Sequence, residues 1–136
     1  MASVLKVNTL TGVTTAGSIV VTGEGNSTTT NLQQGLAKAW INFNGTGTIA
    51  SRDSFNVTSI QDNGTGQYQY AIANDMAAVN YARLVSAGLS GSRTVADTGS
   101  AGSNTAAVVV IITQNIGDAS LVDVDDVNSE ICGDLA

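Results

Sequence analysis

The sequence predicts an all-β protein: an antiparallel β-sandwich, jelly-roll-like, of roughly seven or eight strands, with an extended N-terminal arm and one short helix. Three observations point there. Apolar and polar residues alternate with period two in short runs. Those runs are rich in Val, Ile, Thr and aromatic side chains. They are separated by turn signals such as NGTGT at 44–48 and DNGTG at 62–66.

The elements follow in chain order. Residues 1–30 read as the arm: Val4-Leu5-Lys6-Val7 and Ser18-Ile19-Val20-Val21 are short β-prone runs in a Thr- and Gly-rich segment without a core of its own. Residues 31–136 read as the sandwich domain. Its helix is expected in NLQQGLAKAW, with Thr30 or Asn31 as cap and Leu32, Leu36 and Ala39 on one face; Gly35 limits it to two turns. From Ala39 the period changes to two, so Trp40, Asn42 and Asn44 face away from Ile41 and Phe43. A turn at 44–48 leads to a second strand-like run, and residues 54–60 form a strand with Phe55 and Val57 against Asn56 and Thr58. Asn63-Gly64, which tolerates positive φ, then turns a hairpin, with Gly66 available for a bulge. Beyond it Tyr68, Tyr70 and Ile72 share a face. Residues 79–86 give another strand, with Tyr81, Arg83 and Val85 opposed to Ala82 and Leu84. Residues 88–106 are dense in Gly and Ser and predict a long surface loop. The most apolar run, 107–113, predicts a central strand. Six of the eleven acids lie between Asp118 and Asp134 without a base among them. They read as an acidic tail or, preferably, as a hairpin: Leu121 and Val122, a turn at 123–126, and a last strand at 127–132.

Composition excludes several functions. The 136 residues suit one domain, and a hydrophobic share of 43 % supplies a core built mainly from aliphatic side chains. Charged residues are only 12 %, about half the usual share of roughly 25 %; hydroxyls and carboxamides take their place, a surface typical of β-rich extracellular or virion proteins. A net charge of −6, with only Lys6, Lys38, Arg52, Arg83 and Arg93 as scattered bases, argues against nucleic acid. No apolar run is long enough for a membrane helix, and the opening MASVLKVNTL lacks the order of regions of a secretion signal. Proline is absent, so strand edges lack one common protection and self-association is expected.

No histidine is present, which removes Ser-His-Asp, Cys-His and His-containing zinc chemistry. Cys132 has no cationic neighbour in sequence and is expected to fill an apolar slot in the last strand. Asp53 with Asp62 or Asp75 is a conceivable glycosidase pair, but eleven acids produce such pairs by chance. Asp123, Asp125 and Asp126 resemble a fragment of a calcium loop without its Gly and Glu positions. The Asn-x-Ser/Thr sequons at Asn26, Asn44, Asn56 and Asn63 imply nothing in so Asn- and Thr-rich a chain. Arg52-Asp53 is either a ligand-binding pair or a charge pair at a strand end; the second is the simpler reading. No catalytic, cofactor or metal residue is therefore assigned.

GLAKAWINFNGTGT at 35–48, with RDSFNVTSIQDNGTGQYQYAIANDMAAVNYA at 52–82, resembles a module of tailed-bacteriophage structural proteins often labelled tail-fibre-like. The parts keep order and spacing. MASVLKVNTL and the closing GDLA are similar to the ends of such proteins, and the likeness is weakest at 10–30 and 88–120. The resemblance implies a non-enzymatic virion protein, a homotrimer whose N-terminal arm attaches to the major capsid protein or another virion component, or threads among subunits. It places the protein on the particle surface after synthesis in the host cytoplasm. The chain departs from a fibre in having no shaft. That favours a capsid-surface decoration (cement or head-fibre) protein over the alternative, a tail-fibre or tail-tip adhesin whose loops at 88–106 recognise host-surface glycans.

Overall fold

Period-two alternation organises most of the chain. The computed structural model describes residues 4–13, 19–22, 29–88, 94–97 and 104–136. They divide between two units, Met1–Leu36 and Ala37–Ala136.

In the first unit, β1 (Val20–Thr22) pairs antiparallel with β2 (Thr29–Asn31), and the Leu32 amide donates to the Ile19 carbonyl. Residues 4–13 have no regular structure and are exposed throughout. Val4, Leu5, Val7, Leu10, Val13, Val20 and Val21 are each more than half exposed, Val13 at 95 %.

The helix expected in NLQQGLAKAW does not form, and no helix occurs among the described residues. Asn31 Oδ1 does accept from the Gln33 and Gln34 amides, as a cap would. The turn stops there: Gly35 and Leu36 donate back to Asn31 and Gln33 at 3.3 and 3.4 Å. From Ala37 on, the alternating pattern commits the chain to a strand.

The second unit holds β3 (Ala37–Asn44), β4 (Ala50–Phe55), β5 (Val57–Gly64), β6 (Gln67–Ile72), β7 (Ala82–Gly88), β8 (Thr94–Asp97), β9 (Val108–Asn115) and β10 (Asp126–Cys132). They form two antiparallel four-stranded sheets, β4-β3-β10-β7 and β5-β6-β9-β8. Side chains from both sheets share one core: Ile41, Phe43, Val127 and Ile131 from the first, Tyr68, Tyr70, Val109 and Ile111 from the second. Phe43 meets Tyr68 edge-on at 5.2 Å, and Tyr70 Oη lies 3.0 Å from Ser129 Oγ. The arrangement is β-sandwich-like. β8 pairs with β9 in the second sheet, and β10 lies between β3 and β7 in the first.

Three strand expectations are corrected. The run 54–60 is not one strand: it breaks at Asn56, which adopts φ 56° and carries the chain from one sheet to the other. The loop 88–106 contains β8, which pairs with β9; residues 89–93 and 98–103 lie outside those described. The acidic segment is not a tail: its last strand forms as expected, as β10, but not as a hairpin with Leu121 and Val122. Leu121 pairs back to Gln114 across a turn at 115–120, where Asp118 Oδ1 accepts from the Ser120 amide and hydroxyl. β10 pairs with β3 and β7 instead. The Asp62–Gly66 hairpin forms as expected, but Gly64 pairs with Gln67, so the two turn residues are Thr65 and Gly66. β9 does lie between two strands, and Tyr68, Tyr70 and Ile72 do share the buried face.

Candidate functional site: the outer face of the β4-β3-β10-β7 sheet

Alternation that buries Ile41 and Phe43 must turn Trp40 and Asn42 outward, and the same holds for Asn128 and Glu130 beside buried Ser129 and Ile131. Antiparallel register aligns these residues in rows. Phe55, Trp40, Glu130 and Leu84 lie across the four strands in one row, and Asp53, Asn42, Asn128 and Ser86 in the next. Trp40, Asn42, Asn128, Glu130, Leu84 and Ser86 line an open groove of about 440 Å³ whose floor is the strands themselves. That volume is within the range of about 300–1,000 Å³ usual for small-ligand sites.

A polar network closes one end. Register shifts between Asn42 and Phe43, so Arg52 has no partner of its own on β3 and sits in a bulge. Its Nη1 reaches Asp126 Oδ1 at 3.1 Å across β3, and its Nη2 donates to the Asp125 carbonyl. Asn42 Nδ2 donates to Asp126 Oδ1 at 2.7 Å and to Asn128 Oδ1 at 2.6 Å. The arginine, at 45 % side-chain exposure, remains solvated, so the ion pair positions the carboxamides more than it stabilises the fold.

Chemically, the groove offers one aromatic ring, two carboxamides, a hydroxyl and the Glu130 carboxylate, with no base in its lining. A ring can stack on the C–H face of a sugar while amide and carboxylate oxygens accept from hydroxyls. The same lining repels an anion.

The residues singled out from sequence fall in different places. Arg52 pairs with Asp126 rather than with Asp53, whose Oδ1 accepts from the Ser54 amide. Asp62 caps the hairpin through the Gly64 amide, and Asp75 lies after β6. Asp53, Asp62 and Asp75 thus sit on separate elements. Asp123 accepts from the Gly66 amide at 2.7 Å and the Tyr68 hydroxyl at 3.1 Å, whereas Asp126 faces Arg52. Among the described residues no group of three or more Cys, Asp or Glu could hold a metal ion. Cys132 does not fill a core slot: Ile131 takes the inward position, and Cys132 is a partly exposed free thiol beside Glu130. Phe55 and Leu84 join Trp40 only through the register of four strands, which no single stretch of sequence reveals.

The chain matches no family model, no curated protein and no solved structure.

Proposed function

We propose that this is a non-enzymatic structural protein of a tailed-bacteriophage particle, a trimeric capsid-surface decoration protein whose N-terminal segment joins it to the major capsid protein or another virion component. What supports the reading is the work done by the residues that carry the resemblance. Asn44 Oδ1 accepts from the Thr46 amide and hydroxyl and shapes the β3–β4 turn. Arg52 marks the β4 bulge, Asn56 turns the corner between sheets, Gly66 closes a hairpin and Tyr68 fills the core. These are the parts of a scaffold. The finer fold description belongs to the same reading: eight strands in two sheets, with first and last paired as β3 and β10, support a jelly-roll-like sandwich. The exposed, irregular stretch 4–13 supports an attachment arm.

Quantitative mass spectrometry of purified particles of the virus that encodes the chain tests this. Hundreds of copies per particle fit decoration of a shell. A few dozen or fewer fit a fibre, and none at all removes the reading.

The groove favours a second reading, a receptor-binding adhesin for host-surface glycans. Immobilised neutral oligosaccharides are the probe. Trp40→Ala should weaken binding about tenfold, roughly 1.4 kcal/mol, while costing the fold less than the ~3–5 kcal/mol of a core Trp. Failure of the wild-type chain to retain any neutral glycan removes this second reading alone.

A further inference from the structure

We infer that Asn63 is a self-modification site, its carboxamide lost through succinimide formation with the Gly64 amide nitrogen, while the fold holds the other Asn-Gly pair, Asn44-Gly45, unreactive. The inference goes beyond the structural role proposed above and does not depend on it.

The chemistry needs only the chain and water. The Gly64 nitrogen attacks the side-chain carbonyl carbon of Asn63 and forms a bond to Cγ. The Cγ–Nδ2 bond breaks, and the proton given up by the attacking nitrogen leaves with Nδ2 as ammonia. Water then opens the cyclic imide at either carbonyl. One product is aspartate; the other is isoaspartate, in which the main chain runs through the former side chain. Glycine favours the attack because no side chain shields its nitrogen.

The dipeptide occurs at 44–45 and at 63–64, and the structure treats the two differently. Gly45 is buried, and its amide donates at 2.9 Å to the carbonyl of Val124, itself fully buried. A single added carbon on Gly45 would lie 2.6 Å from the Tyr68 ring, so ring closure has no room there. Asn44 Oδ1 is engaged by the Thr46 amide and hydroxyl. Attack at Asn44 therefore waits on opening of the core. Asn63, in contrast, is the extra residue of a bulge between the Asp62–Tyr68 and Gly64–Gln67 pairs, and both Asn63 and Gly64 are exposed. The Gly64 amide donates at 2.8 Å to the Asp62 carboxylate, an exposed side chain that frees it by rotating about its own bonds. A carbon added to Gly64 would find its nearest neighbour, Gln67 Nε2, 4.0 Å away. Local opening at such a hairpin costs far less than opening a packed core.

Conversion has a structural consequence. Asn63 Nδ2 donates to Gln69 Oε1, and Gln69 Nε2 donates to Gln61 Oε1, each at 3.1 Å. A carboxylate at 63 cannot donate, so it ends this chain of carboxamides and adds negative charge beside Asp62. Isoaspartate also lengthens the backbone where the register already shifts.

Incubation of the full chain in mildly alkaline buffer, with tryptic peptides followed by mass spectrometry, tests the assignment. Cleavage after Lys38, Arg52 and Arg83 puts Asn44 in the peptide 39–52 and Asn63 in the peptide 53–83. Fragment ions separate Asn63 from the other asparagines of its peptide. In the native chain Asn63 should convert at least about tenfold faster than Asn44. In concentrated urea the two rates should converge, since glycine follows both. Equal native rates overturn the inference, as does a native chain in which Asn63 stays intact. A gap that persists in urea also overturns it, because neighbouring residues rather than the fold would then set the rates. Asn63→Gln should lack the more acidic species that accumulates on anion exchange of the wild-type chain; its undiminished appearance in the variant places the modification elsewhere.

Discussion

Tyr68 and Tyr70 place two fully buried phenol groups in a core made mainly of aliphatic side chains, each phenol oxygen with a hydrogen-bond partner. Tyr68 donates to the Gly45 carbonyl and Asp123, and Tyr70 shares a hydrogen bond with Ser129. Burial pushes both phenols up to about 12 from the ordinary value of 10.0. The unfolded chain therefore releases these protons before the folded one does. Their contribution is complete below pH 10 and declines as pH rises toward 12, by up to about 2–3 kcal/mol per tyrosine. Urea midpoints measured from pH 8 to 12 should fall steeply above 10. Tyr70→Phe should flatten that fall, and an unchanged slope would show that Tyr70 is not the titrating group. Gly66 and Gly47 give a second contrast at this scale. Both have left-handed φ, +63° and +66°. A Cβ on Gly66 would lie 2.5 Å from the Thr113 carbonyl, whereas at Gly47 it meets nothing within 4 Å. Gly47→Ala should cost about 1 kcal/mol for conformation alone, and Gly66→Ala about 2–4 kcal/mol once the backbone must also move. Equal thermal shifts would contradict the packing at Gly66.

At the scale of elements, the sheets owe their placement to the corner at Asn56. Its Nδ2 donates to the Lys38 carbonyl at 2.8 Å and to the Asn74 carbonyl at 3.2 Å, and its Oδ1 accepts from the Asn74 amide at 2.8 Å. One side chain thus ties the start of β3 to the segment after β6 while its backbone holds a conformation that Asn tolerates better than most residues. Asn56→Gly keeps the φ and loses the clamp; Asn56→Ala loses both. We expect losses of about 1–3 and 2–4 kcal/mol respectively, read from denaturation midpoints. A glycine variant as stable as wild type would show that the clamp adds nothing. This corner also shows what sequence could and could not convey. Period two in 54–60 correctly indicates extended chain, and the buried faces of β3 and β6 are legible in the same way. Nothing local says that Phe55 and Val57 belong to different sheets, because that choice is made by partners eighteen residues away at Lys38 and Asn74. The turn before Leu121 was legible in Gly117-Asp118 and was obscured by the denser acids after it. The groove was not legible at all, since Trp40, Glu130 and Leu84, which line it, come from three strands.

Charge is unevenly spread over the whole molecule, and its response to salt follows from that. The surplus of −6 lies wholly in residues 37–136, where Asp62 and Asp75 are exposed, Arg52 already faces Asp126, and Arg83 lies over the Tyr81 ring at 5.5 Å. The trimer proposed above would bring like charge together, a cost that salt screens. Apolar contact between aliphatic side chains is not weakened by the same salt. Raising sodium chloride from about 0.01 to 0.5 M, across which the screening length falls several-fold, should therefore tighten self-association several-fold. Sedimentation at fixed protein concentration measures it directly. An assembly held by ion pairs would respond in the opposite sense, so dissociation in high salt would show that charge, rather than aliphatic surface, joins the copies.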